Sequence, residues 1–201
     1  MLKHIIITLY KELEMKKIIA ATTVALALAT TASAELRVGL GYNLSDALNS
    51  GGTSIRVPLD FADIGNGLRI EPELGYRSST NTNGSKDLTD SSMLIAVGGY
   101  YNLWSADKLN FYAGGRLAIS NGSNEYTSVD NFGNVTVKSA DYSTTGLQGL
   151  FGAEYGITED FTVATQAGVE INVGDNKSMG IVGHVVLRYF FLPIGGSNSG
   201  L

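Results

Sequence analysis

The sequence predicts an all-β protein: an eight-stranded antiparallel up-and-down transmembrane β-barrel, preceded by a cleavable signal peptide. Three observations predict it. An export signal sits near the amino terminus, and period-two alternation of apolar and polar residues runs through nearly everything after it. The strand-borne charges then keep to one of the two faces that this alternation defines.

The export signal starts at Met15. In "MKKIIAATTVALALATTASA" two lysines precede an apolar stretch from Ile18 to Thr30, and small residues close it at Ala32-Ser33-Ala34. Charge, apolar core and small-residue site in that order form the secretory pattern, with cleavage expected after Ala34. The apolar stretch is about 13 residues, short of the roughly 20 that a spanning helix needs. Residues 1–14 fit no part of a signal peptide and read as an upstream extension from a mis-assigned start. The expected organisation is therefore extension over 1–14, signal peptide over 15–34, barrel over 35–191 and a short periplasmic tail over 192–201.

Composition narrows the class. The chain has no cysteine, so neither a disulfide framework nor a lipid-anchored amino terminus is available. Of 14 Lys+Arg and 19 Asp+Glu in the whole chain, four lysines and two glutamates precede Glu35, leaving ten against seventeen. That acidic excess argues against nucleic acid as a partner. A chain that is 44% hydrophobic, with 25 glycines and no later apolar run of membrane-helix length, suits an exported all-β protein.

Eight alternating segments follow. Leu36, Val38, Leu40 and Tyr42 alternate with Arg37, Gly39, Gly41 and Asn43. Ile55, Val57, Leu59 and Phe61 alternate with Arg56, Pro58 and Asp60. In "LRIEPELGYR" Leu68, Ile70, Pro72, Leu74 and Tyr76 oppose Arg69, Glu71, Glu73, Gly75 and Arg77. Met93 to Leu103 keeps Ile95, Val97 and Tyr101 on one side and Tyr100 on the other. Leu109, Phe111, Leu117 and Ile119 face away from Tyr112 and Arg116. Leu147, Phe151 and Tyr155 oppose Gln148 and Glu154, and Phe161, Val163, Val169 and Ile171 oppose Gln166 and Glu170. Ile181, Val185, Leu187, Tyr189 and Phe191 stand against His184 and Arg188.

The charges decide which face is which. All six arginines (Arg37, Arg56, Arg69, Arg77, Arg116 and Arg188) share the polar face with Asp60, Glu71, Glu73, Glu154 and Glu170. The lysines after the signal, Lys86, Lys108, Lys138 and Lys177, are expected between strands. In a soluble sandwich lysine would share the wet face with arginine. A near-balanced arginine–carboxylate set with many glycines instead suits a narrow polar lumen, because each buried charge then has a partner. The apolar face is expected against outer-membrane lipid. Segment lengths approach the roughly 9–11 residues of a tilted membrane strand, and short and longer gaps alternate as periplasmic turns and outer loops do. The long outer loops are expected at 78–92 and 121–143. Aromatics gather toward the two rims, Phe61, Trp104, Phe111, Tyr155, Phe161 and Phe191 at one and Tyr42 and Tyr76 at the other.

A register follows for the second and third strands. With residues 63–66 as the turn, Asp60 faces Arg69 and Arg56 faces Glu73, two favourable cross-strand pairs. A tight Asn66-Gly67 turn would instead set Arg56 against Arg77 and Asp60 against Glu73. Pro58 and Pro72 cannot donate to a ladder, and the sequence leaves open whether they create a bulge.

The last segment, "IVGHVVLRYFF", resembles the carboxyl-terminal recognition strand of outer-membrane barrels, with Val185, Leu187, Tyr189 and Phe191 at its alternate positions. It departs from that pattern in carrying the further residues "LPIGGSNSGL". The chain after the signal resembles the small eight-stranded OmpA/OmpX-type barrels, and "IEPELGY" looks like the third strand of that group. The resemblance implies a monomer in the bacterial outer membrane, delivered through the barrel-assembly machinery by its last strand.

Catalytic sets are not legible. The lipid A palmitoyltransferase and deacylase families pair a histidine with a serine, whereas His184 has Val186 as its same-face neighbour and reads as a lumen histidine. The acidic, asparagine-rich loop sequences lack the spacing of a calcium loop, so neither metal nor cofactor is expected. Lumen-facing Arg37, Arg56, Asp60, Arg69, Glu71, Glu73, Arg77, Arg116, Glu154, Glu170, His184 and Arg188 form the expected polar network. Eight strands leave an interior that side chains fill. The reading is a non-enzymatic outer-membrane barrel with a structural or surface-interaction role through its outer loops, whose extracellular ligand the sequence does not name. The alternatives are a small porin-like channel and a soluble, lipocalin-like barrel.

Overall fold

The computed structural model describes residues 36–45, 52–61, 67–83, 86–129, 132, 135–174 and 177–194. The expected upstream extension, the signal peptide and residues 195–201 of the expected tail lie outside the described residues. Among the described residues, nine antiparallel strands form one sheet: β1 (Leu36–Asn43), β2 (Gly52–Arg56), β3 (Leu59–Phe61), β4 (Leu68–Asn83), β5 (Lys86–Ala106), β6 (Leu109–Val129), β7 (Val135–Gly156), β8 (Phe161–Gly174) and β9 (Ser178–Ile194).

The ring has eight members, because β2 and β3 are two halves of one strand. Both pair β1 on one side and β4 on the other, and β1 closes the ring onto β9. Closure leaves no sheet edge around the ring. The expected register is the one found, with Arg56 opposite Glu73 and Asp60 opposite Arg69.

Pro58 breaks the strand without shifting it, so no bulge forms there. Gly41↔Arg56 and Val38↔Leu59 step three residues on each side, so no residue is inserted. Each proline keeps the accepting half of its pair: Pro58 accepts from Gly39 N at 3.0 Å, and Pro72 from Val57 N at 2.9 Å. Only the donor that proline lacks is lost from the ladder. The bulges lie elsewhere, at the steps Val38/Gly39 against β9 and Asn102/Trp104 within β5.

The outer loops are mostly strand. Residues 78–83 pair with 86–91 as far as Asn83↔Lys86, and residues 121–129 pair with 135–143 as far as Val129↔Val135. Lys86 and Lys138 therefore sit in strands and not between them. The drop in hydrophobicity after Tyr76 and Ile119 marks where the outer face turns polar, not where the ladder ends. Threonine, valine and tyrosine keep β-propensity there, and backbone pairing closes as well in water. The polar row Ser78, Ser91, Ser123 and Asp141 runs continuously across β4 to β7. The β5–β6 ladder begins at Asp90↔Asn124; beyond it the two hairpins part, and the Glu125 carboxylate accepts from Thr89 N at 2.8 Å. At the other end of the chain, β9 runs to Ile194, three residues past the expected barrel end at Phe191.

Exposure separates the two faces. Ile55, Leu74, Tyr76, Met93, Leu147, Phe151, Tyr189 and Phe191 are exposed, while Arg56 and Arg188 are each 0% exposed. The exception is at the short-turn rim. Leu36, Leu59 and Phe61, expected toward lipid, are buried in a cluster with Val38, Val57, Leu68 and Ile70 across β1, β3 and β4. Inside, Tyr100, Tyr112, Leu150, Ala164 and Val186 pack together, the two tyrosine rings meeting edge-on at 5.6 Å.

Two inward glycines mark where strands approach most closely. A Cβ on Gly114 would meet the Gly99 carbonyl oxygen, with Tyr100 Cα at 2.8 Å; one on Gly168 would meet the Gly149 carbonyl oxygen, with Leu150 Cα at 3.0 Å. These obstacles are backbone, which no rotamer relieves. Gly168→Ala is expected to destabilise the barrel refolded in detergent by about 1–3 kcal/mol. Gly149→Ala, which adds a methyl to open space, should stay within about 0.5 kcal/mol. Urea unfolding followed through Trp104, the one tryptophan, measures both; equal midpoints would contradict the close approach.

Candidate functional site

Period two places the polar residues of every strand in the lumen, and the pairing register decides which of them meet. The polar chain begins near the short-turn rim. Arg69 on β4 clasps Asp60 with Nε and Nη2, the latter at 3.0 Å from Oδ2, and also donates to Glu154 on β7. Glu154 in turn accepts from Arg188 Nη1 at 2.9 Å. Arg188 reaches Glu71 through Nε at 2.5 Å and Nη2 at 3.2 Å. Arg56 then stands 3.4 Å from Glu71 and 3.1 Å from Glu73, and donates to Gln166 at 2.9 Å. Arg116 Nη2 lies 2.8 Å from Glu73, whose other oxygen accepts from Ser54 at 2.6 Å.

Four arginines and four carboxylates thus form one continuous, charge-balanced chain that alternates in sign. Arg56, Arg188, Glu71 and Glu154 within it are no more than 2% exposed. Bidentate arginine–carboxylate geometry fixes both partners, and neutrality spares any charge from standing alone in a low dielectric.

Gln148 extends the chain toward the other rim, and its orientation can be deduced. Arg116 only donates, so the Gln148 atom 3.0 Å from its Nη1 must be the carbonyl oxygen. That oxygen lies 3.3 Å from His184 Nε2, so Nε2 carries the proton and Nδ1 accepts from Asn43 Nδ2 at 3.3 Å. Asn43 Oδ1 accordingly faces a donor, Ser45 N, at 3.1 Å. Gln148 Nε2 donates to Glu170. His184 is a neutral imidazole with both nitrogens engaged.

Two expected members stand apart. Arg37 lies at the short-turn rim, 4.5 Å over the Phe190 ring, and donates to the Glu159 carbonyl at 2.7 Å. Arg77 is exposed at the opposite rim. Gln148, Gln166, Ser54 and Asn43 are members that the sequence does not single out. Gln148 and Gln166 share the face of the arginines, which is the available signal; an uncharged side chain carries no sign to match and is easily passed over.

Among the described residues, two cavities open from the lumen. One of about 230 Å³ is lined by Arg37, Asp60, Arg69, Asn102, Tyr112 and Glu154 among others. The other, about 430 Å³, is lined by Arg77, Arg116, Gln148, Glu170, Asn172 and His184 among others. Along β4 the first touches Arg69 and the second Gly75 and Arg77; Glu71 and Glu73 lie between and line neither.

With the polar face inward and the apolar face outward, a lipocalin-like barrel with an apolar lumen is overturned. Residues 18–185 match the outer membrane protein beta-barrel domain. The chain belongs to that family. The match covers most of the sequence and agrees with the antiparallel ring described above. No curated protein matches. Among solved structures, a major outer membrane protein from Thermus thermophilus is 13% identical, with 79% of this chain and 99% of that chain covered and a TM-score of 0.54. That likeness shows the fold. Neisserial surface protein A (16% identity, 80% and 98% covered, TM-score 0.44) and the attachment invasion locus protein Ail of Yersinia pestis (15%, 79% and 99%, 0.45) align less closely and carry no argument for this barrel.

Removing one member of the charge chain leaves partners buried and unmatched. Glu154→Gln, which weakens the hold on both Arg69 and Arg188, is expected to cost about 3–5 kcal/mol. Arg77→Gln, outside the chain, should cost no more than about 0.5 kcal/mol. Urea midpoints of the two variants, refolded side by side, test the difference.

Proposed function

We propose that the chain is a non-enzymatic protein of the bacterial outer membrane whose β4–β5 and β6–β7 hairpins carry a surface-interaction role. The observation that carries this reading is the reach of those hairpins. β5, β6 and β7 run 21, 21 and 22 residues, about twice the roughly 9–11 that a tilted strand needs to cross a bilayer. The surplus lies on one side of the apolar band, beyond Tyr76 and Met93; its outer face carries Ser78, Thr80, Ser91, Ser123 and Asp141, with Val129, Val135 and Val137 exposed toward the β6–β7 tip. Building so much paired strand above a membrane suits contact with something outside the cell.

In this reading residues 15–34 are the export signal, and the apolar band that includes Ile55, Leu74, Leu147, Phe151, Tyr189 and Phe191 meets lipid. The chain is a monomer, and Val185, Leu187, Tyr189 and Phe191 present the last strand to the assembly machinery. The expected lumen residues, from Arg37 and Arg77 at the rims to the chain linking Asp60, Arg69, Glu154, Arg188, Glu71, Arg56, Glu73 and Arg116, serve structure and not catalysis. His184 and Glu170 belong to the same set through Gln148. His184 supports a non-enzymatic role, since neither ring nitrogen is left to act as a base.

A porin-like reading is favoured by one observation, the two cavities that enter the lumen. The charge chain between them argues for a closed lumen. In planar bilayers the purified protein is expected to give no reproducible single-channel steps, whereas Arg56→Ala combined with Glu71→Ala should; steps from the unaltered protein would favour the channel. Replacing residues 122–142 by a two-residue Asn-Gly turn should leave a heat-resistant folded barrel while abolishing adhesion of expressing cells to any surface that cells with the unaltered protein bind. Unchanged adhesion would remove the β6–β7 hairpin from the role.

A further inference from the structure

We propose that the wider cavity is a binding site for a small zwitterion, of the amino-acid class, entering from the hairpin side. The cavity, about 430 Å³, lies in the usual range for small-molecule sites, roughly 300–1,000 Å³. Its floor is preorganised. Arg116, Gln148 and His184 are each at least nine-tenths buried and are fixed by the bonds described above, so they hold shape without moving on binding.

The walls carry the specificity. Arg116 is neutralised by Glu73 at 2.8 Å, which leaves two charges in the cavity without an ion pair among the described residues. Arg77 on β4 is the positive one and Glu170 on β8 the negative one. In the eight-membered ring β4 and β8 are four places apart in either direction, so the two charges face each other from opposite walls. Glu170 accepts from Gln148 Nε2, which turns the carboxylate toward the floor and leaves further lone pairs open to the cavity. Between them stand Ser92, Ser120, Thr144 and Asn172, which can accept or donate hydrogen bonds. An anion would match Arg77 alone and a cation Glu170 alone. A molecule with a carboxylate at one end and an ammonium at the other matches both, and brings no net charge into a partly enclosed space.

The site does not rest on the surface role of the hairpins. The test uses the full mature chain refolded in lipid nanodiscs, with amide shifts of Arg77, Glu170 and His184 followed by NMR during titration. L-alanine is the probe, and acetate and methylammonium, each carrying one of its charges, are the comparisons. L-alanine is expected to give saturable shifts with at least tenfold tighter binding than either comparison. Arg77→Gln and Glu170→Gln should each weaken it about tenfold, and the double variant about a hundredfold. Both positions lie outside the ion-paired chain, and retained His184 and Gln148 shifts would show that the floor is intact. Acetate or methylammonium binding as tightly as L-alanine would overturn the proposal, as would L-alanine shifts that do not saturate. A direct Arg77–Glu170 pair, seen as coupling of the two substitutions in ligand-free unfolding, would also overturn it.

Discussion

The structure depends on matching buried charge inside a closed sheet. Closing eight strand positions into a ring gives the backbone its hydrogen bonds but leaves a narrow interior, and every second side chain must enter it. Arginine and glutamate can enter only in pairs, because the cost of removing an ion from water is several kcal/mol unless an opposite charge and good hydrogen-bond geometry offset it. The chain from Asp60 through Arg69, Glu154, Arg188, Glu71, Arg56 and Glu73 to Arg116 meets that condition. It draws its members from β2, β3, β4, β6, β7 and β9, so it ties together strands that never touch through their backbones.

The same constraint explains how the ring tolerates two prolines. Slipping the second and third strands past one another would restore no donor, and it would put Arg56 against Arg77. Holding the register costs the ladder two donors and keeps Arg56 against Glu73 and Asp60 against Arg69. The two donors are missing in either register, so charge pairing decides, and the strand breaks into β2 and β3 without losing its place.

Glycine and tyrosine divide the remaining interior. Tyr100 and Tyr112 fill its middle with their rings, and Gly114 and Gly168 let neighbouring strands come closer than any side chain would allow. What stays open is a cavity toward each rim, the wider one carrying Arg77 and Glu170 on facing walls.

Much is legible in the residues alone. Alternation assigns the barrel strands their faces, and the sign of each charge assigns the β2–β4 register, because both depend on near neighbours and on a strict period of two. The hairpins read as loops in the sequence because polarity resembles the end of a strand, when it marks only the end of the apolar band. Leu36, Leu59 and Phe61 are misplaced for a related reason: period gives the face of a residue but not what else in the chain covers it. By itself the sequence determined the architecture, the inward turn of the charges and their overall balance. Tertiary structure alone decided which arginine meets which carboxylate across the lumen. It also decided that Gln148 orients His184 and that Arg77 is left outside, since those contacts join residues up to 141 positions apart through the curvature of a closed ring.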